Sequence, residues 1–292
     1  ICENAKGGAR VSEANILETI ELSKTYPGVR ALDSVNFELA RGEVQALVGQ
    51  NGAGKSTFIE IIAGSLRPDS GKIFVEGKAY PWLDPSRSIE LGIQTVHQEN
   101  QLVEELSVAE NIYLYNLPAT RLGFVDRKDC REAAGALLEE LGIDIPPERK
   151  ASRLTFIEKK LLSIAKACSR KAKLLILDEP TASLDEKGKN ILFDMIRRNT
   201  AKGLSVIYIS HNLGEIFEVC NRVTVFKDGK KVATHAACEI DLGILVRQMI
   251  GRSSTSLYSR ERGVSAGETI LEARDFSREG IVDHVSFELR TG

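Results

Sequence analysis

The amino-acid sequence predicts an α/β fold, a buried sheet with helices packed against it, and three observations carry that prediction. The first is Gly49-Gln50-Asn51-Gly52-Ala53-Gly54-Lys55-Ser56, which follows an apolar run, Val44 to Val48, and precedes helical spacing from Thr57 to Ala63. The second is Lys173 to Leu177, a continuous apolar strand of the kind buried in a parallel sheet. The third is a change of character over 105–170, where charged and apolar residues recur at helical spacing. That region reads as a helical subdomain inserted into the sheet domain.

In chain order, residues 1–14 are polar, rich in Gly and Ala, and aperiodic, and read as a flexible leader. Ile16 to Leu22 and Val35 to Leu39 read as strands, with a Pro27-Gly28 turn between them. Pro68-Asp69-Ser70-Gly71 turns into a strand over Lys72 to Glu76. Ser86 to Leu91 reads as a helix and Gly92 to His97 as a buried strand. In the insertion, Val108 to Leu114, Arg127 to Leu141 and Glu158 to Ser169 read as helices, interrupted by Pro146-Pro147. A helix over Glu186 to Asn199, a strand over Ser205 to Ser210, a helix over Leu213 to Cys220 and a hairpin at Asp228-Gly229 complete the unit.

Composition narrows the class. The chain has 292 residues, enough for one large or two modest domains with real cores, and 42% hydrophobic with 27% charged residues suits a soluble globular protein. A net charge of −2 without blocks of like charge offers no basic face to duplex nucleic acid. The five cysteines lack C-x-x-C spacing and read as reduced thiols rather than a disulfide framework or zinc site. No apolar run has the length of a membrane span, and the N-terminus lacks a signal-peptide core. The chain begins with Ile1 rather than Met, so it is expected to be a piece of a longer polypeptide or to carry added residues.

An internal repeat occupies the C-terminal residues. Ile270-Leu271-Glu272 followed by Asp283 to Gly292 copies Ile16-Leu17-Glu18 followed by Asp33 to Gly42. The second copy is four residues shorter, spanning Ile270 to Asp283 where the first spans Ile16 to Asp33, and nothing in it matches Tyr26. Gly292 corresponds to Gly42, so a second phosphate loop is expected just beyond it.

The chemistry-bearing residues follow from these elements. G-x-x-x-x-G-K-S after a strand and before a helix aims successive backbone N–H groups, and the positive end of the helix dipole, at one anion. Lys55 is expected to reach the β- and γ-phosphates of a nucleotide, and the Ser56 hydroxyl to ligate Mg²⁺. Leu174 to Leu177 leads into Asp178 and Glu179. With that strand placed beside the phosphate-loop strand, Asp178 would hold Mg²⁺ and Glu179 would orient or deprotonate the attacking water. His211 ends another apolar strand, where a neutral imidazole can reach a γ-phosphate and the water. Gln98 follows the strand ending at His97, and its amide could sense both metal and γ-phosphate. Asp185, after the Glu179-Pro180-Thr181 turn, reads by itself as a helix N-cap.

Taken in order, the phosphate loop, Gln98, the segment Leu154-Thr155-Phe156-Ile157-Glu158, Asp178-Glu179, Ser183-Leu184-Asp185 and His211 resemble the ATP-binding cassette family. The resemblance covers a first cassette over 15–252, then a linker over 253–268 and the start of a second cassette over 269–292. It implies a P-loop NTPase core, with a mostly parallel sheet and flanking helices, plus an antiparallel β subdomain and the inserted α-helical subdomain. Val96 to Glu99, Tyr208 to His211 and the tandem arrangement look most like ATPase subunits of monosaccharide importers of ribose, galactose or xylose type.

The same resemblance implies that ATP is held by Tyr26, stacked on adenine, and by Gly49, Gln50, Asn51, Gly52, Ala53, Gly54, Lys55, Ser56 and Thr57. Mg²⁺ would be held by Ser56, Gln98 and Asp178, and catalysis would rest on Glu179, His211, Lys55 and Gln98. Leu154 to Glu158 stand where the family has a sequence close to L-S-G-G-Q. Both glycines are missing, so the backbone approaches a phosphate less closely. In a head-to-tail dimer of cassettes this signature, with Asp185 at the interface, would serve the second cassette's nucleotide, so two unequal sites are expected. The plainer reading makes Phe156 and Ile157 ordinary packing residues at a helix start. Further implied are transmembrane permease subunits docking near Gln98 and over Asn100 to Val108, a periplasmic or extracellular sugar-binding protein, and a peripheral place on the cytoplasmic membrane face. Trp82 is expected to pack at the surface. A tandem ATPase acting on nucleic acid or ribosomes would need a basic surface and long charged linkers, and a regulatory module without turnover would have no use for Glu179 and His211.

Overall fold

The structure, a computed structural model, describes residues 15–96, 102–115, 117–118, 125–250, 267–278 and 282–291. They fall into two compact units, 1–251 and 252–292. In the first, β1 (Asn15–Tyr26), β2 (Val29–Ala40), β4 (Ser70–Val75) and β5 (Lys78–Tyr80) form an antiparallel sheet ordered β2-β1-β4-β5. The second sheet is ordered β10-β9-β3-β8-β7-β6, from β3 (Val44–Val48), β6 (Ile93–Val96), β7 (Leu174–Asp178), β8 (Ser205–Ile209), β9 (Arg222–Lys227) and β10 (Lys230–Ala236). It is parallel except for the β9–β10 hairpin. β3 and β8 are buried at every position, as strands covered on both faces must be.

Two cores hold the unit together. One lies between the two sheets around α1 (Lys55–Ala63), where Phe58 packs against Phe37 at a tilt and against Phe226 edge-on, with ring centroids 5.0 Å and 5.4 Å apart. The other carries the helices α3 (Val108–Ile112), α4 (Arg127–Leu141), α5 (Phe156–Cys168) and α6 (Glu186–Thr200) on the far face of the parallel sheet. The remaining helices are α2 (Pro85–Glu90), α7 (Leu213–Val219) and α8 (Leu242–Ile250). No helix among the described residues is long and apolar enough to cross a membrane.

Several expected bounds move, each for a local reason. β1 and β2 run longer than read, because β1 continues through bulges that break its alternation between Thr19 and Lys24. α5 starts at Phe156, since Thr155 and Glu158 close a capping box. α3 stops at Ile112, and β6 covers Ile93 to Val96, with His97 outside the described residues. Asp178 does not stand beside the phosphate-loop strand: β8 lies between β3 and β7, paired in parallel with both.

The second unit is one hairpin, β11 (Thr269–Arg278) and β12 (Val282–Arg290). It repeats the β1–β2 hairpin beyond sequence. Leu17↔Leu39, Glu18↔Glu38, Thr19↔Phe37 and Leu22↔Val35 recur as Leu271↔Leu289, Glu272↔Glu288, Ala273↔Phe287 and Phe276↔Val285. The left-handed residues also correspond, Glu21 and Ser34 (φ 51° and 50°) with Asp275 and His284 (52° and 49°). Each bulge is tied by the same bond: Asn36 Oδ1 accepts from Glu21 N at 2.8 Å, and Ser286 Oγ accepts from Asp275 N at 2.9 Å.

Candidate functional site

Three parallel strands end at one edge. β3 runs into the loop 49–54, β7 ends at Asp178, and β8 ends before Ser210 and His211. Asp178 is in register with Ile209, so the residues that follow both strands emerge together at the carboxyl edge. Clefts at the carboxyl ends of parallel strands are where α/β folds place ligands.

The loop's shape needs its glycines at two positions. At Gly49 a Cβ would lie 2.3 Å from the Phe226 carbonyl oxygen, and at Gly54 (φ 100°) it would lie 2.4 Å from that of Ala31. Gly54→Ala is therefore expected to disrupt the loop, lowering stability by about 2 kcal/mol or more and MgATP affinity at least tenfold. Urea unfolding and calorimetric titration check both. The tight approach also sets the β2 backbone at Ala31 against the loop, and with it the hairpin whose turn carries Tyr26. Tyr26 is 39% exposed, with Lys24 Nζ over its ring, 5.9 Å from the centroid.

Lys55 opens α1, and its ammonium donates to the carbonyls of Gly49 at 2.6 Å and Gln50 at 3.0 Å. Burial pulls its pKa below the ordinary lysine range, while the charges of Asp178 and Glu179 push it back up. The two acids are thus within electrostatic reach of the loop although β8 intervenes. Asp178 also acts on Lys160, a buried lysine of α5 that sequence reading did not single out. Glu179 has φ 48°, and its N–H donates to Ile209 O at 2.9 Å, which pins the acid to the end of β8. Its Oε1 lies 2.5 Å from His211 Nε2. The imidazole is otherwise open, its side chain 61% exposed.

Of the residues expected to act, the structure brings together the loop, Lys55, Asp178, Glu179 and His211. Gln98 lies outside the described residues, as do Asn100 and Gln101 of the expected docking segment. Ser56 is exposed on the first turn of α1. Asp185 caps α6, its Oδ1 accepting from Gly188 N at 2.8 Å.

The 154–158 segment is built differently from a phosphate cradle. Leu154 is buried, and Ile157 packs partly on the larger core. Phe156, though, stands 48% exposed on the first turn of α5, so it is not the ordinary packing residue of the plainer reading. The helix start is already occupied by its own anion. Glu158 Oε2 accepts from Thr155 N at 2.7 Å, and its Oε1 pairs with Arg149 at 2.7 Å. Burial pushes this carboxyl up, but the bonds from Thr155 and the Arg149 charge win and hold it below the usual range. Trp82 is exposed at the surface, with the Arg67 guanidinium 5.3 Å from its ring.

Against known proteins, residues 32–182 match the ABC transporter family, and the chain belongs to it. It is 40% identical over 277 residues to the putative ribose/galactose/methyl galactoside import ATP-binding protein 1 of Burkholderia cenocepacia, covering 95% of this chain and 53% of that protein. It is 43% identical over 277 residues to the ribose import ATP-binding protein RbsA 1 of Rubrobacter xylanophilus, covering 95% and 55%. The chain thus spans about half the length of the curated relatives it matches. Among solved structures, the ADP conformation of an ATP-binding cassette of an ABC transporter superposes with TM-score 0.71 at 27% identity, covering 82% of this chain and 99% of that one. The expected α/β cassette fold, with its parallel sheet, flanking helices and antiparallel β portion, is the one observed.

Proposed function

We propose that this chain is an ATP-binding and ATP-hydrolysing portion of an importer that carries a monosaccharide across the cytoplasmic membrane. The observation that carries the reading is the meeting of Lys55, Asp178, Glu179 and His211 at one sheet edge, with Glu179 and His211 2.5 Å apart. Relatives named for ribose and galactose import supply the substrate class.

In this reading the backbone N–H groups of residues 49–57 and the Lys55 ammonium hold the β- and γ-phosphates, and Tyr26 stacks on adenine. Ser56 and Asp178 offer hydroxyl and carboxylate oxygens, the hard donors that suit magnesium, and Gln98 would complete the set. When bound, that ion would neutralise charge on the β- and γ-oxygens. Glu179 takes the proton of the attacking water as its oxygen bonds to the γ-phosphorus. The bond to the leaving ADP oxygen then breaks and phosphate departs. His211 holds Glu179 in place through Nε2 and faces the γ-phosphate side.

The hairpin β11–β12 is read as the opening of a second cassette after a linker over 253–268. Leu271, Phe276, Val285, Phe287 and Leu289 are all exposed, whereas their counterparts Leu17, Leu22, Val35, Phe37 and Leu39 are all buried in the first unit. The partners proposed are that cassette, head to tail, the membrane permease subunits and an external sugar-binding protein. The self-capped start of α5 supports unequal nucleotide sites, since an anion bound there would meet Glu158.

The test is reconstitution of the intact protein with permease and sugar-binding protein in vesicles. ATP hydrolysis is expected to rise several-fold with one monosaccharide and not with amino acids. Hydrolysis indifferent to every monosaccharide would remove the sugar reading, and absence of MgATP binding would remove the nucleotide reading.

A further inference from the structure

The site rests on a buried carboxyl group that none of its expected residues includes. Glu215, in the first turn of α7, is 5% exposed, and five polar groups converge on it, from the turn at Thr181, from α6 and from the stretch 208–212. Its Oε2 accepts from Thr181 Oγ1 at 2.6 Å, Tyr208 OH at 3.0 Å and Ser210 Oγ at 3.0 Å. Its Oε1 accepts from Asn212 Nδ2 at 3.2 Å and lies 3.7 Å from Lys189 Nζ.

Four of these five partners neighbour a residue of the site. Thr181 follows Glu179 by two positions, and its carbonyl accepts from Leu184 N at 3.0 Å, closing the turn that leads to Asp185. Ser210 and Asn212 flank His211 on either side, and Ser210 Oγ also accepts from Asn212 N at 3.0 Å. Lys189 sits in the first turns of α6, its backbone N–H donating to Asp185 O at 3.0 Å. Tyr208 lies at the base of the network in β8, where burial pushes its phenol well above the ordinary range, so it remains a donor.

The backbone supplies a second, independent sign. Glu179 and Ser183 both adopt left-handed conformations, at φ 48° and 68°, and Thr181 stands between them. Such residues persist only where their surroundings over-determine them. A hydroxyl has one proton, and committing three of them to a single oxygen fixes three rotors at once. Networks of this kind, once fully satisfied, rigidify what they join.

We propose that Glu215 is a positioning residue that sets the spacing of Glu179 and His211 and ties both to the 181–185 turn. The γ-phosphate end of the site and the turn leading to Asp185 then move as one unit. The proposal rests on the ATP-hydrolysing reading above.

The test uses the intact transporter that this reading requires, with Thr181→Val, Thr181→Ser and Glu215→Gln. Thr181→Val keeps the shape and deletes the shortest donor. It is expected to leave MgATP affinity within about threefold of wild type while kcat falls about tenfold or more, because small misplacements of reacting groups are costly. Thr181→Ser restores the hydroxyl and should return kcat to near wild type. Glu215→Gln removes the charge and turns an amide N–H either toward the three hydroxyls or toward Asn212 Nδ2 and Lys189 Nζ, and it should lower kcat by about a hundredfold with the same split. If it does not fold, the Thr181 pair decides. Equal turnover of the Val and Ser variants would overturn the proposal, as would affinity falling in step with kcat. A wild-type assembly that neither binds nor hydrolyses MgATP would instead remove the underlying reading, and this proposal with it.

Discussion

Lys55→Ala is expected to lower ATP turnover by about two orders of magnitude or more, and to weaken MgATP binding as well. The residue is a positive charge at the mouth of a loop whose other donors are neutral N–H groups, and its ammonium rests on the Gly49 and Gln50 carbonyls. Removing one such electrostatic contact in a partly dried site costs on the order of 10²–10³ in rate. Stability should change little. The variant loses two bonds to loop carbonyls, but it also sheds the burial cost that depresses this lysine. Nucleotide titration and steady-state hydrolysis check the prediction, with thermal unfolding as control. Wild-type affinity and rate in this variant would remove Lys55, and the loop with it, from the account.

Glu179→Gln is expected to separate binding from chemistry. The substitution keeps size and shape, and glutamine tolerates the left-handed backbone at φ 48° no worse than glutamate does. MgATP affinity should stay within about threefold, while hydrolysis falls by roughly 10²–10⁴, the usual worth of a general base. The amide cannot take the water's proton, whatever it does with the imidazole 2.5 Å away. Unchanged turnover in the intact transporter would mean that Glu179 is not the base.

How much of this is legible in the sequence depends on how local the cause is. Strand, glycine turn and helix over 44–63 are contiguous, so Lys55 and its loop are readable from residue order alone. The acid strand ending at Asp178 is readable for the same reason. Where β7 lies is not, because pairing joins residues far apart in the chain, and β8 takes the place beside β3. β1 is read short because bulges shift its register between Thr19 and Leu22 and again before Lys24, which scrambles the period of two. α8 is passed over although Asp241 Oδ1 accepts from Ile244 N at 2.8 Å, a cap signal present in the sequence. Asn212-x-x-Glu215 likewise has the spacing of a capping box. In the fold, Ser210 takes the Asn212 N–H, and Glu215 turns inward to its hydroxyls. The repeat shows the opposite case: a shared pattern of residues predicts a shared register and shared bulges, and β11–β12 has both.

The most direct measurement is a crystal structure of the Glu179→Gln chain grown with MgATP. The account predicts a triphosphate wrapped by residues 49–57, Lys55 Nζ turned from the Gly49 and Gln50 carbonyls to the β- and γ-oxygens, and His211 within hydrogen-bonding reach of the γ-phosphate. An empty loop at saturating nucleotide, or a γ-phosphate remote from Asp178 and His211, would contradict it.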